Sequence, residues 1–208
     1  MHPDLIHIGS FALPSYGLMM ALGFLAALWL LRRRAPAFGI APDAASDVGI
    51  WLLLSGLVGA KLLLVVVEWP HYVSSWNGVK DLARAGGVFY GGLLGAIVGT
   101  AIVLRKREIP FFTFADNAAP SIAIGQALGR VGCLLAGCCW GRECDLPWAI
   151  TFSDPKAAAN VGVPLGIPLH PTQIYEAVGT LVLCALLLVF ERRHWPEVEA
   201  VLKERAVA

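Results

Sequence analysis

Charge is what this sequence is short of. Asp, Glu, Lys and Arg make up 15% of its 208 residues, while hydrophobic residues make up 57% and the mean hydropathy is +0.68. A soluble domain carries about a quarter of its residues as charges, so an ordinary soluble fold is excluded. The formal net charge is only +1, and the basic residues are dispersed by segment, so nothing points to a nucleic-acid partner. No C-x-x-C pair occurs among the five cysteines, which removes the usual exchanging pair of a thiol–disulfide oxidoreductase. Residues 1–13, MHPDLIHIGSFAL, have no basic n-region before an apolar run and no small-residue cleavage site, so they are not read as a signal peptide.

In place of charge there are long apolar runs. Five of them, Tyr16–Leu31, Val48–Val67, Val88–Leu104, Thr113–Cys138 and Ile174–Phe190, are each near the ~20 residues that cross a bilayer as helix. The predicted fold is therefore all-α, a polytopic membrane helix bundle over residues 1–190 with a polar tail at 191–208. Spans one, three and five end in basic clusters: Arg32, Arg33 and Arg34; Arg105, Lys106 and Arg107; Arg192 and Arg193. Ten Lys/Arg fall on that side of the membrane and four, Lys80, Arg84, Arg142 and Lys156, on the other. Because basic residues stay in the cytoplasm, the N-terminus is expected outside and the C-terminus inside. The loops at 68–85 and 139–173 then lie outside, with Trp69, Trp76, Trp140 and Trp148 in them or at their edges.

Two stretches carry chemistry. The first, SIAIGQALGRVGCLLAGCCWGREC at 121–144, sets Arg130 in an apolar helix among Gly125, Gly129, Gly132 and Gly137. A guanidinium among lipid-suited residues costs ~2.5–3.5 kcal/mol on insertion scales. It persists where it faces a polar cavity, binds an anion such as phosphate, or pairs with a buried carboxylate that holds helices together. Gly95-x-x-x-Gly99 and Gly125-x-x-x-Gly129 are patterns that let helices pack closely. The Gly91-Gly92 pair after Tyr90 fits close packing and space for a lipid headgroup equally well. The second stretch, VGVPLGIPLHPTQIYE at 161–176, reads as a loop with His170-Pro171 opening the fifth span, Pro171 in its first turn. Thr172, Gln173, Tyr175 and Glu176 follow within about one and a half turns, as helix capping with an interfacial tyrosine or as a polar rim that orients a substrate or holds Arg130.

The cysteines stand at 133, 138, 139, 144 and 184. Cys133-x4-Cys138 and Cys139-x4-Cys144 adjoin directly, without the intervening stretch that separates the ligand pairs of the usual zinc sites, so no metal ligands are assigned and no cofactor is expected. On the outer side Cys144 with Cys138 or Cys139 suits a structural disulfide and free thiols alike. Cys184 reads as a small apolar residue.

These motifs together resemble the bacterial prolipoprotein diacylglyceryl transferases. SFALPSYGLMMALGF resembles that family's first span, with Tyr16 at the place of its functional tyrosine. YGGLLG at 90–95 is similar to its HGGL(I/L)G stretch, and FADNAAP at 114–120 to its SDxxAP stretch, bringing Asp116 and Pro120 into register. GRVGCLLAGCCWG at 129–141 resembles the signature GRxGNFxNxExxG, and HPTQIYE at 170–176 matches HP(S/T)QxYE. Arg130, Gly132 and Gly141 agree with the signature. Tyr90 stands in place of a histidine, Cys133 of an asparagine, Cys138 of a glutamate, and Lys61 of a common arginine. The family usually continues past HPTQIYE with further hydrophobic segments and an arginine/glutamate-bearing helix, whereas one span and a polar tail follow here.

The resemblance implies transfer of a diacylglyceryl group from phosphatidylglycerol to a cysteine thiol in a lipoprotein signal peptide, in the bacterial inner membrane, releasing glycerol phosphate. It implies Arg130, Tyr90, Glu176 and Tyr16 as catalytic residues. Gly91, Gly92, Asp116, Gly129, Gly132, Gly141, His170, Gln173 and Tyr175 are the implied substrate-binding residues. The departing phosphate needs positive charge, which suits Arg130. A phenol is a weak base at neutral pH, so Tyr90 is expected to donate a hydrogen bond, leaving Glu176 as the carboxylate near the rim. Two other classes remain: a non-catalytic lipid- or lipoprotein-binding protein of the same fold, and a membrane thiol–disulfide oxidoreductase.

Overall fold

The computed structural model describes residues 4–8, 11–73, 81–82 and 85–207; the expectations at Trp76, Lys80 and Arg84 fall outside them. In chain order the elements are strands β1 (Asp4–Ile8) and β2 (Phe11–Pro14), then helices α1 (Ser15–Arg34), α2 (Pro42–Val67), α3 (Trp69–Val73), α4 (Phe89–Lys106) and α5 (Phe111–Ala136). Strand β3 (Ile150–Thr151), helix α6 (Pro155–Val161), strand β4 (Pro168–Leu169), and helices α7 (Thr172–Arg193) and α8 (Trp195–Val207) complete the chain. The class is all-α. Among the described residues five helices, α1 extended by a 3-10 turn at Ala35–Phe38, α2, α4, α5 and α7, are long and apolar enough to cross a membrane. Each coincides with a predicted span to within a few residues at most ends. The fourth stops at Ala136 rather than Cys138, because Gly137 takes a left-handed φ of 80° and closes the helix. Pro171 occupies the cap position before α7 rather than its first turn.

Lipid is the natural surroundings of these helices. Only 6% of the apolar window of α2 is buried within the protein, against 39% for α5. Leu57, Val58, Leu62 and Val66 project outward from α2, a surface that water would not tolerate on a stable monomer.

Two compact units are formed, one from residues 1–30 and 118–198, the other from 31–117 and 199–208. In the second unit α2 and α4 pack backbone to backbone. A Cβ on Gly95 would lie 2.5 Å from the Ser55 carbonyl, and one on Gly59 would overlap the Gly91 carbonyl and come within 2.8 Å of the Gly95 Cα. A Cβ on Gly91 would likewise lie 2.5 Å from the Gly59 carbonyl, so helix packing takes up the space at this glycine. Arg34, expected simply as a basic span end, is instead buried: it donates to the Asn117 carbonyl and lies over the Phe38 ring at 5.2 Å. Asn117 in turn donates to the Leu31 carbonyl at 3.3 Å. Arg32 and Arg107 are exposed at this end and pair with Asp43 at 2.8 Å and Asp47 at 2.7 Å. Lys61, within the second span, turns its ammonium to the carbonyls of Leu82 (2.6 Å) and Ala85.

In the first unit β1 and β2 form an antiparallel hairpin that leads into α1. α1 lies on α5 through small residues: a Cβ on Gly23 would be 3.0 Å from the Gly125 carbonyl, and one on Gly132 would be 3.0 Å from the Met19 Cβ. Leu30, Ala123 and Cys184 bring α1, α5 and α7 into one apolar cluster, and the Cys184 thiol reaches the Pro120 carbonyl at 3.3 Å. Between α5 and α7 the chain is folded, not open loop. β3 pairs with β4, and Phe152, Ala157, Val163 and Leu169 make a small core under Trp140 and Ile150. α6 follows from DPKAAANVG: Asp154 accepts from the Lys156 N–H at 2.8 Å, Pro155 needs no donor, and Gly162 ends the helix at φ 71°.

The α2–α4 contact makes a prediction. Gly59→Ala forces backbones apart and lowers stability by ~1–3 kcal/mol. Gly179→Ala, a helical site with nothing within 4 Å of the added carbon, leaves stability unchanged or slightly raised. Thermal unfolding of the two variants in the same detergent separates them; equal midpoints would contradict the packing.

Candidate functional site

Arg130 lies six residues before the end of α5, and its charge is answered from α7. Its Nη2 donates to the Glu176 Oε2 at 2.6 Å. The guanidinium side chain is 24% exposed and the carboxylate 48%, so the pair is neither a buried structural bridge nor a surface one. Cys133, one turn along the helix, stands within electrostatic reach of the guanidinium. The Tyr16 phenol, at the start of α1, lies within electrostatic reach of Arg130 and of Cys133, Cys138 and Cys139. Gly132 brings the Tyr16 ring this close, since a Cβ there would sit 3.4 Å from its Cδ2.

A sharp reversal of the chain follows α5. The N–H groups of Gly137 and Cys138 both return to the Cys133 carbonyl at 3.0 Å, and Cys139 takes φ 59°, uncommon for a residue with a side chain. The result is a convergence that the spacing in sequence did not suggest: the sulfurs of Cys133, Cys138 and Cys139 all lie within 4.8 Å of one another. All five cysteines are free thiols, and Cys144 stands outside this group. Cys133 is buried, Cys138 half-buried and Cys139 exposed, so the cluster runs from the interior to the surface.

The HPTQIYE segment holds this turn. Thr172 Oγ1 donates to the Cys139 carbonyl at 2.5 Å, and Gln173 Nε2 to the Cys138 carbonyl at 2.6 Å. Gln173 is only 1% exposed. Gly141 passes against the same segment: its N–H donates to the His170 carbonyl at 3.0 Å, and a Cβ would come within 2.7 Å of the His170 Cβ and 2.8 Å of the Thr172 Cγ2. Trp148 Nε1, which can only donate, bonds the Tyr175 hydroxyl oxygen at 2.7 Å. The hydroxyl proton of Tyr175 is then available to His170 Nδ1 at 3.2 Å. His170 and Tyr175 are thus engaged in positioning the rim, and Trp148, read in sequence only as an interface anchor, is part of the same chain of bonds.

Arg130, Glu176, Tyr16, Gly129, Gly132, Gly141, His170, Gln173 and Tyr175 all belong to the first unit. Tyr90, Gly91, Gly92 and Asp116 belong to the second. There Tyr90 is exposed at the start of α4 beside Phe89, and Asp116 is exposed next to the buried Asn117.

Cys138, just past the end of α5, has its thiol pushed up to about 12, by burial first and then by the neighbouring Cys133 and Cys139 sulfurs. It is a neutral thiol at physiological pH. The arrangement therefore offers a cation able to receive an oxyanion, a carboxylate that orients it, a phenol, and three close thiols.

The family model described as Prolipoprotein diacylglyceryl transferase matches residues 3–204. A phosphatidylglycerol–prolipoprotein diacylglyceryl transferase of Clostridium tetani is 34% identical over 193 residues, 93% of this chain and 75% of the relative. That of Dehalococcoides mccartyi (strain ATCC BAA-2266) is 35% identical over 196 residues, 94% of this chain and 73% of the relative. That of Acaryochloris marina is 32% identical over 186 residues, 89% of this chain and 67% of the relative.

The state of Cys138 has a direct readout. Raising the thiol from 9.0 to about 12 cuts the thiolate present at pH 8 by roughly 10³. The greater intrinsic nucleophilicity of a more basic thiolate returns roughly 20-fold of that. In reduced, chelator-treated protein Cys138 is expected to alkylate on the order of 50-fold more slowly than free cysteine at pH 8, accelerating as pH rises toward 12. Mass spectrometry of time-resolved labelling checks this; labelling at the free-cysteine rate would contradict it.

Proposed function

The chain belongs to the prolipoprotein diacylglyceryl transferase family, and from that membership we propose that it transfers a diacylglyceryl group from phosphatidylglycerol to the thiol of a lipoprotein signal-peptide cysteine. The observation that carries this reading is the half-open Arg130–Glu176 pair at the end of an otherwise apolar helix. In the reaction the bond from the glycerol carbon to the phosphate oxygen breaks, its electron pair stays on that oxygen, and a carbon–sulfur bond forms. Charge grows on the phosphate as it leaves, so the residue that matters most is the one that meets that charge.

Arg130 takes that role. A guanidinium has five donors, and its contact to Glu176 leaves others for phosphate oxygens. Glu176 fixes the fork in orientation while remaining half exposed itself. Tyr16 serves as a hydroxyl donor to the headgroup, Gly129 borders the lipid, and Gly132, Gly141, His170, Gln173 and Tyr175 keep the rim in place. The protein is multi-pass in the membrane. We place it in the bacterial inner membrane with its N-terminus outside, its 191–208 tail in the cytoplasm, and the Arg130 end of α5 facing outward, where lipoprotein cysteines arrive.

Arg130→Lys keeps the charge and loses the bidentate fork. If the contact strengthens as phosphate departs, that loss is on the order of 2.7–4 kcal/mol, or roughly 10²–10³ in rate. Transfer of radiolabelled diacylglyceryl to a lipobox peptide measures it. The variant is expected to insert and fold normally while transferring poorly. Normal turnover by well-folded Arg130→Lys rules out the bidentate contact, and normal turnover by well-folded Arg130→Ala removes the phosphate role altogether.

A further inference from the structure

We infer that Cys133, Cys138 and Cys139 form a three-thiolate zinc site whose fourth position receives the acceptor cysteine of the transfer reaction. The inference rests on the reading of the substrate as a thiol, and deepens it by naming what activates that thiol. Three sulfurs within 4.8 Å of one another are close to a ligand set already. Tetrahedral zinc with bonds of about 2.3 Å places its sulfurs about 3.8 Å apart, so closure onto the ion needs movements of about an ångström or less. Thiolates select soft and borderline cations, and three protein ligands with one open place is the arrangement of catalytic rather than structural zinc.

The surroundings favour a cation here. The cluster lies at the C-terminal end of α5, where the helix carries partial negative charge. Three thiolates and one divalent ion sum to a single negative charge, and the Arg130 guanidinium lies within electrostatic reach of Cys133 and Cys139. The carbonyls of all three cysteines are held: that of Cys133 by the Gly137 and Cys138 N–H groups, that of Cys138 by Gln173, and that of Cys139 by Thr172. Ligands fixed through their neighbours bind without having to be ordered first. The exposed Cys139 puts the open side toward the surface, where a peptide thiol can approach.

The chemistry closes without any redox change. Zinc binding displaces the protons of the protein thiols, and binding of the acceptor displaces its S–H proton to water. The bound sulfur gives its electron pair to the glycerol carbon, the carbon–oxygen bond breaks, and glycerol phosphate departs against Arg130. Zinc remains divalent throughout and is released from the thioether product, a poorer ligand. This assigns activation of the acceptor thiol to the zinc held by Cys133, Cys138 and Cys139.

The test uses the full-length reduced protein in detergent, titrated with Co(II) as a spectroscopic stand-in and with Zn(II) under competition. One ion per chain is expected, with sulfur-to-cobalt charge-transfer absorption. Cys133→Ser, Cys138→Ser and Cys139→Ser should each weaken binding at least ~100-fold, while Cys144→Ser binds as wild type. A lipobox peptide with cysteine should shift the visible cobalt bands and its serine counterpart should not. Absence of binding by the reduced wild type, or binding that survives the triple serine variant, overturns the site. Binding with no response to the cysteine peptide overturns the open fourth position. Full transfer by metal-free protein refutes zinc activation while leaving the transferase reading intact. Metal-loaded protein that responds to peptide yet transfers nothing from phosphatidylglycerol keeps the site and refutes the transferase reading instead.

Discussion

An arginine inside an apolar helix must have a partner, and here that partner is Glu176 on α7, at 2.6 Å. The pair ties α5 to α7. Its intermediate exposure matters to its use. A deeply buried pair would be held by desolvation and unable to accept a third charge, and a fully exposed one would be screened and loosely held. Between those limits the guanidinium is oriented by one carboxylate and still open to an anion.

The stretch after α5 shows how one motif serves several purposes. Thr172 and Gln173 hold the carbonyls of Cys139 and Cys138, Glu176 holds Arg130, and His170 and Tyr175 share bonds with Trp148. Five side chains of the 170–176 segment thus fix both the charged group and the thiol turn. Gly141 is where that turn crosses the motif, and the crossing has no room for a side chain. This explains in packing terms why the two stretches singled out in the sequence act as one site despite the ordered segment of β3, α6 and β4 between them.

Much of the architecture was legible from hydropathy alone, since each span is long, nearly uncharged and bounded by basic residues, proline or glycine. The importance of Arg130 was legible for the same reason: it is the one cation in the fourth apolar run. The cysteine cluster was not. Positions 133, 138 and 139 are brought together by helix geometry, a left-handed Gly137 and a left-handed Cys139, and backbone conformation of that kind leaves no periodic trace. Arg34 was misjudged through its neighbours, since three consecutive arginines look alike in sequence while only one turns inward to Asn117 and Phe38. The folded segment between α5 and α7 was read as loop because its strands are two residues each, too short to alternate.

The central claim is that a family member carrying cysteines and a tyrosine at positions where its signature relatives carry other groups still performs diacylglyceryl transfer. Reconstitution of the purified protein into vesicles containing phosphatidylglycerol, followed by mass determination of a cysteine-containing lipobox peptide, tests it most directly. The account predicts a peptide heavier by one diacylglyceryl group, joined at sulfur, with an equal amount of glycerol phosphate released. An unmodified peptide in the presence of correctly folded, reduced and zinc-supplied protein would contradict it.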